Sequence, residues 1–97
     1  VLRLDIMEED KIKMIFLLVH IKSKLDLKRA DFEGRTRRVL EVNGLIEIYQ
    51  SLIHHDVPIL VGGDFNGHAG ETETEEEFKA IYEKTDLRDI AFLARIP

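Results

Sequence analysis

The 97-residue chain contains no cysteine, so neither a disulfide framework nor a thiolate metal site can be built from it, and the redox character of its compartment stays open. It also lacks any apolar run approaching the ~20 residues that span a bilayer, and any pattern resembling a signal peptide. A soluble protein of unassigned localisation is expected. Basic charge is in deficit, with 14 Lys and Arg against 19 Asp and Glu and a net charge of −5, which argues against a surface built to coat nucleic acid. Neither a Gly-x-Gly-x-x-Gly nor a P-loop pattern occurs, so the usual fingerprints of nucleotide-binding α/β domains are missing. No repeat, low-complexity tract or linker interrupts the chain.

The remaining composition is that of an ordinary globular protein, 44% hydrophobic and 34% charged, and the length allows at most one domain over residues 1–97. A chain this short buries only about 60 to 65% of its unfolded surface, so the core is thin. Half of all basic residues fall in one stretch: Lys22, Lys24, Lys28, Arg29, Arg35, Arg37 and Arg38. This forms a local basic patch, most of it expected to be a solvated helix start and loop. The opposite extreme, Glu71, Glu73, Glu75, Glu76 and Glu77, is expected to be a solvated loop and a first helical turn, where carboxylates favour the dipole.

Apolar alternation near Val1, Leu4 and Ile6, a polar turn at Glu8, Glu9 and Asp10, and a second run over residues 11–21 predict an antiparallel hairpin. Within it, Met14 to Val19 shows no polar alternation, which predicts a strand covered on both faces. Val39, Val42, Ile46, Tyr49 and Ile53 recur at steps of three and four, with Leu45 and Leu52 beside them. This predicts a one-sided helix from Arg35 to about His55. Thr74, Glu75, Glu76 and Glu77 resemble a capping box opening a short helix on Phe78, Ile81 and Tyr82. The tail from Asp86 is read as a short helix or an extended segment. Strand, strand, long helix, strand, short helix is an α/β order in which the helix covers one sheet face, and the chain has no element for the other. Val1 already lies in a strand-like pattern and Pro97 follows an apolar segment, so a longer parent chain is expected.

The most informative segment is Gly62-Gly63-Asp64-Phe65-Asn66-Gly67, directly after Ile59-Leu60-Val61. An apolar run ending in glycines and polar residues predicts a buried strand opening into a loop, where α/β proteins place their chemistry. In extended backbone Asp64 and Asn66 project to one side while Phe65 turns to the core, and the glycines leave room for a phosphate or a metal-bound water near the backbone. The competing reading is a turn in which both polar side chains bond local backbone. For His20 it is a strand-end histidine with a satisfied hydrogen bond. His54 and His55 are adjacent and do not form an i, i+4 metal pair; they are expected to favour the helix C-terminal dipole. His68 is expected to be a surface loop residue.

Taken together, Val19-His20-Ile21-Lys22-Ser23-Lys24, the Arg-rich helix start around Arg35 and Arg38, and Gly63-Asp64-Phe65-Asn66 resemble the endonuclease/exonuclease/phosphatase superfamily, the deoxyribonuclease-I-like fold. The resemblance implies an α/β fold of two packed sheets between outer helix layers, of which this chain would be the central segment, about half of the domain. It implies a metal-dependent phosphoesterase, nuclease-like or phosphatase-like, using Mg²⁺ or Mn²⁺ on a phosphate-ester substrate that could be a nucleic acid or a phosphorylated small molecule or lipid. Carried over by position, Asp64 resembles the aspartate that orients or deprotonates the attacking water, or contacts the metal, Asn66 the asparagine that holds the phosphate and that aspartate in line, and His20 the histidine that donates to a phosphate oxygen and offsets developing negative charge. Lys24 and Arg35 would contact substrate phosphates. The family's other metal-binding and dyad residues have no counterpart in this chain, so the segment alone is expected to be inactive, and to self-associate or to need the missing half of the domain. The alternative is a non-catalytic fragment or interaction module that keeps the fold's layout.

Overall fold

A computed structural model describes residues 1–21 and 35–94. Two antiparallel strands, β1 (Leu2–Glu8) and β2 (Lys11–His20), form a hairpin. Glu9 and Asp10 at its tip both have positive φ, which is what a two-residue hairpin turn demands of its central residues even when neither is glycine. Helix α1 (Arg35–Leu52) leads through a 3₁₀ turn (Ile53–His55) into β3 (Ile59–Asp64). This last strand runs parallel to β2, giving a three-stranded mixed sheet in the order β1-β2-β3. A second 3₁₀ turn (Glu76–Phe78), α2 (Lys79–Lys84) and α3 (Ile90–Leu93) follow. The α/β class and the strand-strand-helix-strand order expected from the sequence are both present. The expected connection over residues 23–34 lies outside the described residues, and so does Lys24. No described helix is long and apolar enough to cross a membrane.

One side of the sheet carries the core. Alternate residues of β2, Ile15, Leu17 and Val19, are buried together with Ile21 beneath Val42, Leu45, Ile46 and Leu52 of α1, and Phe78 and Ile81 close the end. The buried face of α1 begins one residue earlier than its apolar periodicity predicts. Arg38 is buried while Val39 and Ile53 are exposed, because acidic partners for a guanidinium come from another part of the chain.

The expectation that residues 14–19 are covered on both faces is corrected. Met14 and Phe16 are half-buried and Leu18 is exposed, and β1 is exposed along its whole length. Among the described residues no second layer lies over this side, so the apolar ladder of Leu2, Leu4 and Ile6 beside Leu18, Phe16 and Met14 faces outward. The expected capping box does not form either. Glu75 stands at the N-cap without a side-chain cap bond, since the Thr74 hydroxyl donates to the Gly70 carbonyl and Glu75 turns to Arg38.

Candidate functional site

The β2-α1-β3 crossover brings two strand ends side by side. In a parallel pair the carboxyl ends coincide, and here the last residues of the ladder, His20 and Asp64, are register partners. Both side chains are exposed. Adjacent parallel strands lie ≈ 4.8 Å apart, so an imidazole and a carboxylate forty-four residues apart in sequence emerge as neighbours.

The loop after β3 is fastened to the end of β2. The Ile21 N–H donates to the Asp64 carbonyl at 2.8 Å, and Asn66 Nδ2 donates to the Ile21 carbonyl at 2.8 Å, which extends the sheet's hydrogen bonding past its last paired residues. The Asn66 N–H donates in turn to Asp64 Oδ1 at 2.9 Å. Asn66 takes φ of 50°, a left-handed conformation that asparagine tolerates better than most residues. One oxygen of Asp64 and the Asn66 amide nitrogen are thereby used inside the protein: Asp64 bonds local backbone as the competing turn reading has it, whereas Asn66 reaches across to Ile21 on the neighbouring strand instead. Asp64 Oδ2 and Asn66 Oδ1 remain as acceptors.

Phe65 does turn inward, meeting Phe78 edge to face with ring centroids 5.9 Å apart. Two of the glycines serve close packing against the protein's own groups. A Cβ on Gly63, whose φ is +137°, would stand 2.1 Å from the Val19 carbonyl oxygen, and one on Gly67 would stand 2.5 Å from Arg38 Nη2. Neither position tolerates a side chain without movement.

Arg38 is the residue whose importance is least visible in the sequence. Its side chain is 1% exposed, and Nη1 lies 2.6 Å from Glu77 Oε1 while Nη2 lies 3.3 Å from Glu75 Oε2. Nη2 also donates to the Asn66 carbonyl at 3.1 Å, and the guanidinium sits 5.1 Å from the centre of the Phe78 ring. The acidic run, expected to be solvated, therefore supplies two carboxylates to a buried cation, and that cation holds the loop that carries Asn66 directly after the strand end at Asp64. Sequence position could not reveal this, since Arg38 and Glu77 are thirty-nine residues apart and each lies within a run of like charges.

A third acidic residue is also engaged. Glu71 Oε1 accepts from Arg88 Nε at 2.8 Å and from the Asp89 N–H at 2.7 Å, which holds its carboxyl below the usual carboxylate range. The Tyr49 hydroxyl donates to Asp86; burial first, and then this carboxylate, push its phenol up to about 12. These contacts tie the tail to α1 and to the loop after β3.

The other expected residues are dispersed. Arg35 is exposed at the first position of α1. His68 is exposed, with Nε2 3.9 Å from Glu73. The rings of His54 and His55 lie together, 4.1 Å between centroids, at the end of the 3₁₀ turn. A cleft of about 360 Å³ between β3 and the tail is lined by Val61, Phe65, Tyr82 and Leu87, and none of His20, Asp64 and Asn66 borders it.

Magnesium takes six oxygens at close to octahedral geometry and keeps several waters. Among the described residues no group of three or more His, Asp or Glu could hold a metal ion. The described residues therefore fit at most one or two ligand positions and do not make a Mg²⁺ site by themselves. Comparison with protein-family models, with curated proteins and with solved structures finds no match.

Proposed function

We propose that the ends of β2 and β3 form part of a phosphoester-hydrolysing site, in a deoxyribonuclease-I-like domain of which this chain supplies the central segment. The observation that carries the reading is the register pairing of His20 with Asp64 at the carboxyl ends of two parallel strands, with Asn66 locked beside them. Phosphoryl transfer asks a protein mainly for positioning and for stabilisation of charge on the phosphate oxygens. Asp64, one oxygen fixed by the Asn66 N–H, orients a water through the other and accepts its proton as the water oxygen attacks phosphorus; the ester P–O bond opposite breaks, and the leaving oxygen takes a proton from solvent to depart as the alcohol. His20 donates to a non-bridging phosphate oxygen as negative charge builds there. The Asn66 amide nitrogen, expected to hold the phosphate, donates to the Ile21 carbonyl, so Asn66 is proposed to act instead through Oδ1, which accepts from the same water and keeps it in line with Asp64.

The proposed cofactor is Mg²⁺ or Mn²⁺. The remaining metal ligands would come from outside the described residues, so no step is assigned to the ion. Arg35, exposed at the start of α1, is proposed as a substrate phosphate contact, together with Lys24. The substrate class is a phosphate ester, of a nucleic acid or of a phosphorylated small molecule or lipid.

A non-catalytic module is the second reading. It is favoured by the internal bonds of Asp64 Oδ1 and Asn66 Nδ2, which would serve a loop built only for packing. The two separate on a Mg²⁺-dependent hydrolysis screen of the longer protein that contains this chain, with Asp64→Asn as the control. Activity abolished by a substitution that leaves the fold intact supports the enzyme.

A further inference from the structure

The outer edge of β1 has the properties of a self-complementary interface. Edge strands in natural proteins are normally blunted by proline, inward charge or a covering element. Here β1 carries no proline, no described strand lies beside its outer edge, and its residues are exposed on both faces, with Leu2 58%, Leu4 45% and Ile6 49% exposed; its inward charges, Arg3 and Asp5 on the face of Leu17 and Ile15, pair with each other and so neutralise rather than repel. Its one irregularity, between Ile6 and Met7, leaves Leu2 to Ile6 as a regular stretch centred on Leu4.

The hydrogen-bonding direction of that stretch follows from its neighbours. The N–H groups of Ile15 and Ile21 donate to Pro58 and Asp64, so odd-numbered residues of β2 turn their peptide groups to β3 and even-numbered ones to β1. The partners of those even residues, Leu2, Leu4 and Ile6, therefore bond to β2. Arg3 and Asp5 consequently present their N–H and C=O groups at the free edge.

We propose that two copies of this chain associate through antiparallel pairing of their β1 edges, about a two-fold axis through Leu4. In that register Arg3 of each copy lies opposite Asp5 of the other, and these pairs exchange the backbone bonds that the free edge offers. Their side chains, which in one chain pair with each other at 2.7 Å, then pair across the interface in both directions. On the other face Leu4 meets its own copy and Leu2 meets Ile6. A shift of two residues either way would set Arg3 against Arg3 or Asp5 against Asp5, and like charges directly opposite are destabilising. The charge pattern thus selects one register, and the result is a closed isologous dimer with a continuous six-stranded sheet.

The test is sedimentation velocity of the full 97-residue chain over a range of concentrations, with three charge variants and, for cross-linking, two cysteine variants, all checked for fold by circular dichroism. Wild type is expected to dimerise. Arg3→Asp and Asp5→Arg each place two like-charge pairs in the interface and should weaken association at least ~10-fold. An equimolar mixture of the two should dimerise again, as should the double variant with the charges exchanged. Independently, Leu4→Cys in the cysteine-free chain should cross-link under mild oxidation, because a non-hydrogen-bonded antiparallel pair has its Cα atoms about 4.5 Å apart, within disulfide reach, whereas Leu2→Cys should not. A wild type that stays monomeric overturns the proposal. So does association that both single reversals leave unchanged, which would place the contact on the open sheet face or the β3 edge, and so does equal cross-linking of the two cysteine variants.

Discussion

Replacing Arg38 by Met keeps the length and apolar body of the side chain and removes its charge, which makes it the sharpest probe of what holds the loop after β3. Arg38 is 1% exposed, Glu77 is 8% and Glu75 is 20%. The substitution leaves Glu77 nearly buried without its cation and Glu75 partly so, and strips the Asn66 carbonyl of a donor. Removing one partner of a buried ion pair costs about 3–5 kcal/mol, and loss of the contact with the Phe78 ring adds ~0.5–1 kcal/mol. Two terms act the other way: Glu75 is a fifth exposed and counts for less, and the buried Arg38 Nε has no acceptor among the described residues, a cost already carried by the native protein. A net loss of about 3 kcal/mol is expected, a large share of the 5–15 kcal/mol typical of a domain. The assay is urea unfolding followed by far-ultraviolet circular dichroism at one fixed chain concentration, since association shifts apparent stability. Adding Glu77→Gln to Arg38→Met should recover at least ~1 kcal/mol, because the stranded charge is then gone. A loss below ~1 kcal/mol in Arg38→Met, with unchanged urea dependence, would refute the claim that this cation is the loop's anchor.

Two further outcomes follow from the same contacts. The chain has two tyrosines and no tryptophan, so a spectrophotometric titration reads both phenols: Tyr49 should ionise near 12 and Tyr82 above its ordinary value of 10.0 through burial and the nearby Asp89 and Glu71 carboxylates. Because the folded phenols hold their protons more tightly than the unfolded ones, the stability they contribute is complete below pH 10.0 and is lost as pH rises toward 12; full ionisation of both at pH 10 in folded protein would contradict the burial of Tyr49. His20→Ala in the longer protein proposed to contain this chain should lower kcat more than it raises KM, since a donor to developing phosphate charge acts in the transition state, and a rise in KM alone would make His20 a binding or packing residue.

Much of this arrangement was legible in the sequence because it rests on local pattern. The hairpin followed from alternation around a polar turn, α1 from its 3.6-residue stripe, and the strand before Asp64 from an apolar run ending in glycine. What stayed hidden depends on contacts distant in sequence. Arg38 sits in a basic run and Glu75 and Glu77 in an acidic one, so each run reads as solvated until the fold sets one against the other. The same pairing explains why the stripe of α1 begins at Arg38 and why Glu75 does not cap the 3₁₀ turn. For Asp64 and Asn66 the sequence offered either a site or a self-bonded turn, and the geometry contains elements of both: Asp64 Oδ1 and Asn66 Nδ2 are engaged internally, while His20 stands beside Asp64 in register. Local pattern cannot separate these, since both use the same residue types at the same strand end.

The central claim, that the paired ends of β2 and β3 carry phosphoester hydrolysis, is tested most directly by Mg²⁺-dependent turnover of the longer protein proposed to contain this chain, measured for wild type and Asp64→Asn. Asparagine keeps the size of the side chain and an oxygen to accept the Asn66 N–H, so the fold should persist while the charge that orients and deprotonates water is lost. A fall in kcat of at least ~10²-fold, with an unchanged circular dichroism spectrum, is the predicted result. Wild-type turnover in the folded variant would contradict it.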